Sequence, residues 1–383
     1  MKIRIATIYT LYNQRGGAEL FTEKLINKFS SLSENFTVVV FCNKKAKDVL
    51  SSQKDIKIIY VRWLNNQGLK AIWLELVAWL YMLINRIDIF WNPSGANNFP
   101  GYFFPISIST ILDIGEFFVK NKYGYFRQFY RTKICLPRTI KRSRKIVTIS
   151  RETANAVKDI FNYKKDISVV YLAADPWDNN QTVKKESSIK VDANFKEEYM
   201  LCVGRIDYVN KGIDIILDSY LDLQKTYDLP KLIFVGSLGV DGSKLIEIIN
   251  GNGVSDKIKY LGRVDNSDLE YLYANAKVNI LASRYEGFGI TLLESFMRGI
   301  PILCSDIKVL KEIGGDAPIY FQSESIVDFK EKLLNLLQSK INIEDHVTRG
   351  HKMVEKYSWD KATEGYQLIF EQEYNKGRLK ELN

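Results

Sequence analysis

Only two histidines, His346 and His351, occur in 383 residues, and both lie near the end of the chain. A multi-histidine metal site elsewhere is thereby excluded, and so is a histidine general base in the main body. No Asp-x-Asp triplet occurs, so the paired carboxylates that commonly hold Mg²⁺ or Mn²⁺ on a diphosphate are missing; no metal site and no cofactor are expected. The Gly-x-Gly-x-x-Gly fingerprint is absent too, which argues against a dinucleotide-binding dehydrogenase. The four cysteines, Cys42, Cys135, Cys202 and Cys304, show neither zinc-like nor redox-motif spacing, and no secretory signal precedes them. Free, mostly buried thiols in a reducing cytoplasm are the simple expectation. The longest apolar run, Ala71 to Ile84, is too short to cross a bilayer, which takes about 20 residues. It reads as a buried helix, with a helix dipping into a membrane interface as the alternative. There is no short internal repeat and no low-complexity tract.

What is present is ample core material. The chain is 46% apolar, and single cores stop growing at roughly 250–300 residues, so two domains are expected. Short β-branched runs alternate with helical patterns, which implies parallel sheets with crossover helices. Strands are expected at Arg4–Ile8, Thr37–Phe41, Lys57–Val61, Asp88–Trp91, Ile106–Ile111, Lys145–Ile149 and Ser168–Tyr171, with helices such as Ala18–Phe29 and Arg151–Phe161 between them. The polar stretch Pro176–Lys196 reads as a linker. The rhythm restarts with strands at Tyr199–Val203, Lys231–Val235, Lys257–Leu261, Val278–Leu281 and Pro301–Cys304. Helices fit Gly212–Tyr227, Asn266–Asn275, Thr291–Met297 and Ser325–Gln338, and a long helix begins at Trp359. The expected fold class is thus α/β: two doubly wound, Rossmann-like domains, 1–180 and 195–358, whose strand ends face a shared cleft, followed by a helix over 359–383.

Three segments carry candidate chemistry. Gly16 and Gly17 follow the first strand and open a helix, where free amides and a positive dipole end suit a phosphate; a plain tight turn explains them equally well. In VGRIDYVNKG, Arg205 and Lys211 stand at the carboxyl end of the first strand of the second half, a fork and a point charge that together suit a diphosphate, with plain surface residues as the alternative. In SRYEGFGITLLES, Glu286 precedes Gly287-Phe288-Gly289, which opens a helix bearing Ile290 and, about one turn in, Glu294. The alternative is that Glu286 is a loop charge and Glu294 a solvated helix face, but that helix is strongly apolar, so a carboxylate on it needs a partner, and a ligand hydroxyl would serve.

Together these segments resemble the retaining glycosyltransferases of family 4, which have the GT-B fold. The likeness is most specific between Val203 and Asp306, where Gly204-Arg205…Lys211-Gly212 resembles the phosphate-binding segment and Glu286 through Glu294 the Glu-x7-Glu signature. The resemblance implies a role for each matched position. Arg205 and Lys211 would bind the donor diphosphate, Glu286 would contact the donor sugar near the reacting carbon, and Glu294 would hold the ribose. Gly16 and Gly17 would approach the donor phosphates from the other domain, and Arg263 and Val264 match the base-binding strand end. The last helix would cross back to the N-terminal domain. Many members carry a His-Asp pair in the N-terminal domain; here Leu112 stands where the histidine would be, while Asp113 remains as a candidate catalytic residue. Arg151 likewise stands where many relatives have Glu.

The implied activity is metal-independent transfer of a hexose from a nucleoside-diphosphate sugar, with retention, to a glycan or lipid-linked saccharide. The surface-polysaccharide setting would be cytoplasmic, at the inner face of the cell membrane. A sugar-nucleotide epimerase of the same fold, or a non-catalytic sugar-nucleotide-binding protein, is the alternative. The net charge of +9 suits an anionic partner. Nucleic acid is not expected as that partner, because no recognised nucleic-acid module is present. Residues 117–145 are basic and aromatic with no acid. They would face anionic lipid headgroups or a lipid-linked pyrophosphate, or else form an ordinary solvated helix pair.

Overall fold

A strand that must be followed by a strand of the same direction needs a crossover, and in this chain helices supply most of these crossovers. The computed structural model describes residues 2–12, 16–30, 35–50, 56–98, 106–119, 122, 124–175, 198–251 and 253–381. Seven strands form the first sheet: β1 (Ile3–Tyr9), β2 (Phe36–Cys42), β3 (Ile56–Tyr60), β4 (Ile89–Asn92), β5 (Ser107–Ile111), β6 (Lys145–Thr148) and β7 (Ile167–Val169). Their order is β3-β2-β1-β4-β5-β6-β7, and the pairs are parallel throughout. Six more form the second sheet: β8 (Tyr199–Val203), β9 (Lys231–Val235), β10 (Ile258–Tyr260), β11 (Ala276–Leu281), β12 (Ile302–Ser305) and β13 (Ile319–Phe321). Its order is β10-β9-β8-β11-β12-β13, again parallel. The chain is therefore two parallel-sheet, Rossmann-like α/β units.

Contacts group residues 1–172 and 358–383 into one unit and residues 173–357 into the other. The final helix, Trp359–Glu381, lies in the first unit because aromatic rings hold it there. Tyr366 and Phe370 pack with Phe21 and Phe29 of the helix Gly17–Ser30 and with Trp91 of β4, at centroid distances of 5.3 to 6.3 Å. The Tyr366 hydroxyl and Thr110 Oγ1 of β5 are 2.6 Å apart, and Arg144 meets Glu373 at 2.9 Å.

Several expectations need correction. The apolar run Ala71–Ile84 is not one buried helix. It falls in two helices, Gln67–Leu76 and Ala78–Ile84, bent by 56° where Val77 leaves helical geometry. Trp73, Leu74, Ala78 and Met82 are buried, but Leu69, Ile72, Leu76, Leu80, Leu83 and Ile84 are exposed. Only one face of a helix on a sheet can reach the core, however apolar the other face is. No single helix among the described residues is long and apolar enough to cross a membrane.

The charge of residues 117–145 is also smaller than it reads. Of ten basic residues there, at least five meet acids among the described residues: Lys122–Asp113, Arg131–Glu116, Arg142–Glu75, Arg144–Glu373 and Lys145–Asp166. β13 and the helices Ser243–Gly251, Lys308–Gly314 and Ile343–Val354 were not expected. The first is three residues long beside Pro318, and the last carries Gly350 because a Cβ there would lie 2.7 Å from the Phe296 ring. The linker expected at Pro176–Lys196 falls outside the described residues.

Phe370→Ala should lower unfolding stability by about 3–5 kcal/mol, the usual cost of emptying a buried aromatic site. Leu368→Ala, one face away and exposed, should stay within about 0.5 kcal/mol. Thermal denaturation followed by near-UV circular dichroism checks both. Equal effects would refute the packing account of the last helix.

Candidate functional site

In an open parallel sheet, a crevice forms at the carboxyl ends of the two neighbouring strands whose crossovers leave in opposite directions. In the second unit those strands are β8 and β11. A small cavity of about 20 Å³ lies there, lined among others by Gly204, Arg205, Lys211, Ala282 and Ser283.

The loop after β8 is held by an acid that the sequence reading passed over. Asp207 is buried. Its Oδ1 accepts the Val240 N–H at 2.8 Å, while its Oδ2 accepts from Arg205 Nε at 2.9 Å and Nη2 at 2.5 Å. One edge of the Arg205 guanidinium is thus fixed. Nη1 makes no hydrogen bond among the described residues, and 41% of the side chain remains exposed. A guanidinium held on one edge and open on another is preorganised for a second anion. The signal lay two residues from Arg205 in the same segment, as an Asp that a strand-end loop would bury.

Gly212 sets the position of Lys211. Its φ is +63°, and a Cβ there would sit 2.1 Å from the Ala282 carbonyl oxygen at the end of β11. Only glycine permits this approach. Lys211 Nζ consequently reaches Glu286 Oε1 at 2.5 Å, and Ser283 Oγ donates to the same oxygen at 2.8 Å. Glu286 Oε2 is left without a partner among the described residues. Arg205, Lys211 and Glu286 are therefore gathered at one strand edge from segments 75 residues apart.

The turn Gly287-Phe288-Gly289 then enters the helix Ile290–Met297. Gly289 has φ +92°, and a Cβ would meet Leu310 Cδ2 at 2.5 Å, so the tight entry again requires glycine. Phe288 does not offer its side chain to a ligand. The ring is buried and meets Tyr357 edge-on at 5.9 Å, leaving its backbone as the group near the helix start. Ile290 is partly buried in the first turn. Glu294 sits one turn in and accepts the Tyr273 hydroxyl at 2.9 Å. Arg298, paired with Glu270, lies 4.7 Å from the centre of the Tyr273 ring. Burial pushes the Glu294 carboxyl above its ordinary range, against the opposing Tyr273 hydrogen bond and the Arg298 charge. Burial and the neighbouring Glu294 also hold the Tyr273 hydroxyl well up, so it stays a donor. At the end of β10, Arg263 is exposed and Val264 packs partly on the small cluster around Leu272 and Tyr273.

Asp113 and the two glycines belong to the first unit. Asp113 follows β5, takes the Lys122 ammonium at 2.7 Å and accepts the Gly115 N–H at 2.9 Å. Burial alone would raise its pKa, but Lys122 and these hydrogen bonds outweigh it and bring the carboxyl down to about 2. It is an ionised acceptor at neutral pH, not a proton donor. Gly16 and Gly17 are exposed at the start of the helix Gly17–Ser30. The Gly16 N–H already donates to Glu19 Oε2 at 3.0 Å, and a Cβ on Gly17 would meet nothing within 4 Å. Leu112, beside Asp113, is only partly buried. No group of three or more His, Cys, Asp or Glu side chains suited to a metal ion occurs among the described residues.

Two parallel doubly wound units with such a strand-end cluster define the class: the fold is that of GT-B glycosyltransferases. The chain covers 97% of itself and 99% of a sucrose-phosphate synthase from Thermosynechococcus elongatus, at 14% identity and a TM-score of 0.72. It matches the Anabaena protein HepE, solved in complex with UDP and glucose, with 14% identity, a TM-score of 0.68 and 97% and 100% of the two chains covered. Residues 183–353 match the family model for glycosyl transferases group 1. Among curated relatives, the chain is 27% identical over 267 residues to an O-antigen chain mannosyltransferase of Escherichia coli, spanning 67% of this chain and 68% of that protein. It is 26% identical over 253 residues to another from Salmonella typhimurium, spanning 66% and 65%. The chain thus spans about two thirds of the length of these relatives.

The raised carboxyl gives a pH test. A group whose folded pKa lies above its unfolded value stabilises the fold fully below the unfolded pKa, and that contribution is lost as pH rises through the folded one. Glu294→Gln, which stays neutral, should therefore gain melting temperature over the unmodified chain at pH 8, with the difference closing as the pH approaches 4. Thermal melts across that range check it. A gap that widens on acidification would show that Glu294 is stabilised in its charged form.

Proposed function

We propose that this chain moves a hexose from a nucleoside-diphosphate sugar to a glycan or lipid-linked saccharide, with retention at the anomeric carbon and without a metal ion. The setting is the synthesis of bacterial surface polysaccharide. The observation that carries the reading is the cluster at the β8–β11 strand ends, in the segment that matches the group 1 glycosyl transferases.

The chemistry follows from where charge grows. As the bond between the anomeric carbon and the diphosphate oxygen breaks, negative charge develops on the leaving group. Arg205, preorganised by Asp207, and Lys211 oppose that charge, together with the first amides of the helix Ile290–Met297. Lys211 shares its charge with Glu286 before a ligand arrives; a diphosphate takes over part of that interaction and leaves Glu286 to accept hydroxyls of the donor sugar. Glu294, with one oxygen fixed by Tyr273, accepts from the ribose. The acceptor oxygen attacks on the face the diphosphate leaves and passes its proton to a diphosphate oxygen, so no separate nucleophile or base is required. Two other readings differ in what they release: an epimerase would make product with no acceptor, and a binding protein would turn nothing over.

The exposed apolar faces at Leu76, Leu83 and Ile84, and the exposed Tyr125 and Phe126, support peripheral contact with an anionic membrane. There the paired cations of 117–145 contribute less than apolar insertion.

A thermal-shift panel of UDP-, GDP- and dTDP-sugars should show a melting-temperature rise with one nucleotide. Arg205→Ala should cut turnover on the order of 10²–10³-fold, and Asp207→Asn should weaken donor binding by loosening Arg205. Wild-type turnover in Arg205→Ala would refute the diphosphate clamp, and inversion of the product anomer by NMR would refute retention. Leu83→Asp should reduce flotation with anionic vesicles while donor binding is unchanged; undiminished flotation would remove this surface from the membrane contact.

A further inference from the structure

The first sheet has its own switch point, between β1 and β4. A cavity of about 450 Å³ opens there, lined by the ends of those strands (Ile8, Tyr9, Thr10, Pro93, Ser94), by the helix Gln67–Leu76 and by the segment 126–131. Its size falls in the range of ligand pockets, roughly 300–1,000 Å³. None of the residues discussed for the donor lies in its wall.

Lys70 is the unusual member of the lining. It is buried, at 8% exposure, on a helix whose other buried residues are apolar. Its ammonium makes no hydrogen bond or ion pair among the described residues; its neighbour is the Tyr12 ring, 5.4 Å from the centroid. Burial lowers its pKa to about 8, with Glu19 pulling the other way. A charge out of water without a counter-charge is costly, and a helix facing a sheet has no structural need of one. A second buried group in the same wall lacks a partner among the described residues: Asn98, 6% exposed, has no hydrogen bond to its Oδ1.

The wall carries more positive than negative charge. Arg127 and Arg131 line it with Lys70, against one carboxylate, Glu19, which is engaged by the Gly16 N–H. Arg131 is bound by Glu116 and Asn97. It stands where the helix widens by one residue: the Leu136 N–H reaches back to the Arg131 carbonyl, beside Pro137, which has no N–H. Such widened turns occur often at functional sites. Tyr9, Tyr12, Phe126 and Tyr130 supply flat apolar faces of the kind that sugar rings stack on.

We infer that this cavity binds an anionic group of the acceptor, a carboxylate or a phosphate, with Lys70 as its counter-charge and Asn98 accepting a neighbouring hydroxyl. The word acceptor rests on the glycosyltransferase reading above; binding of an anion in this cavity does not.

The test uses the full chain and matched probes in calorimetric titrations: methyl glucuronide against methyl glucoside, and geranyl diphosphate against geraniol. One charged member should bind while its neutral partner does not. The glucuronide would identify a sugar carboxylate, and the diphosphate a lipid-linked phosphate. Lys70→Met should weaken that binding about tenfold or more, as loss of a charged hydrogen bond does. Lys70→Arg should restore most of it, and Arg205→Ala should leave it intact. If Lys70→Met does not fold, Lys70→Gln takes its place. Equal binding of charged and neutral probes, no charged probe bound, or unchanged affinity in Lys70→Met would each overturn the inference. So would loss in Arg205→Ala with retention in Lys70→Met, because the anion would then be at the β8–β11 cluster. Nucleotide-sugar titrations on the same Lys70→Met sample report separately on the donor reading.

Discussion

The approach of the Gly212 backbone to the Ala282 carbonyl governs the geometry at the second switch point. Parallel strands place all their carboxyl ends on one edge of the sheet, but that alone leaves the loops to spread over the surface. With no side chain at position 212, the loop after β8 can lie directly on the end of β11. Lys211 then meets Glu286 and Ser283 within hydrogen-bond distance. A methyl group at that position would push the two segments apart, and with them the cation and the carboxylate.

Once the loops are gathered, buried partners decide what each charge can do. Asp207 takes one edge of Arg205 and leaves another open. Tyr273 takes one oxygen of Glu294 and leaves the other. Arg205 and Glu294 are thus each oriented by a buried neighbour. In the first unit the balance differs. At least half of the cations in the basic stretch 117–145 meet acids outside it, while Lys70, isolated in an apolar helix, has no such partner among the described residues. Much of the charge that reads as a surface feature is met by acids within the chain, and charge that reads as incidental is the one left unmet.

The regular elements were legible because their periodicity is local. Tyr199–Val203, Lys231–Val235 and Arg151–Phe161 agree with the structure to the residue, and the alternation of strand and helix fixed the parallel α/β class. Elements whose stability comes from neighbours were not legible: three-residue β13, which exists by pairing with β12, and the helix Ile343–Val354, whose Gly350 makes room for Phe296. The bend at Val77 was missed for the same reason, since an apolar run interrupted only by Glu75 gives no sign of where its helix will break. At the site, the segments bearing Arg205, Lys211, Glu286 and Glu294 stood out by residue type and position after strands. Asp207 carried a signal only as an acid in a strand-end loop two residues from Arg205, and Tyr273 carried none, because nothing in a Tyr announces the side chain it will hold.

The sequence by itself determined the two parallel sheets, the segments that would reach their carboxyl edges and the glycines that would let backbone approach backbone. These follow from hydrophobic period and from the steric freedom of single residues, both local properties. Tertiary structure alone decided which charges cancel and which remain, that Phe288 turns into the core, and that Lys70 is buried without a counter-ion among the described residues. Those outcomes depend on distances between residues far apart in the chain, and electrostatics and packing act on distance in space, not on order in sequence.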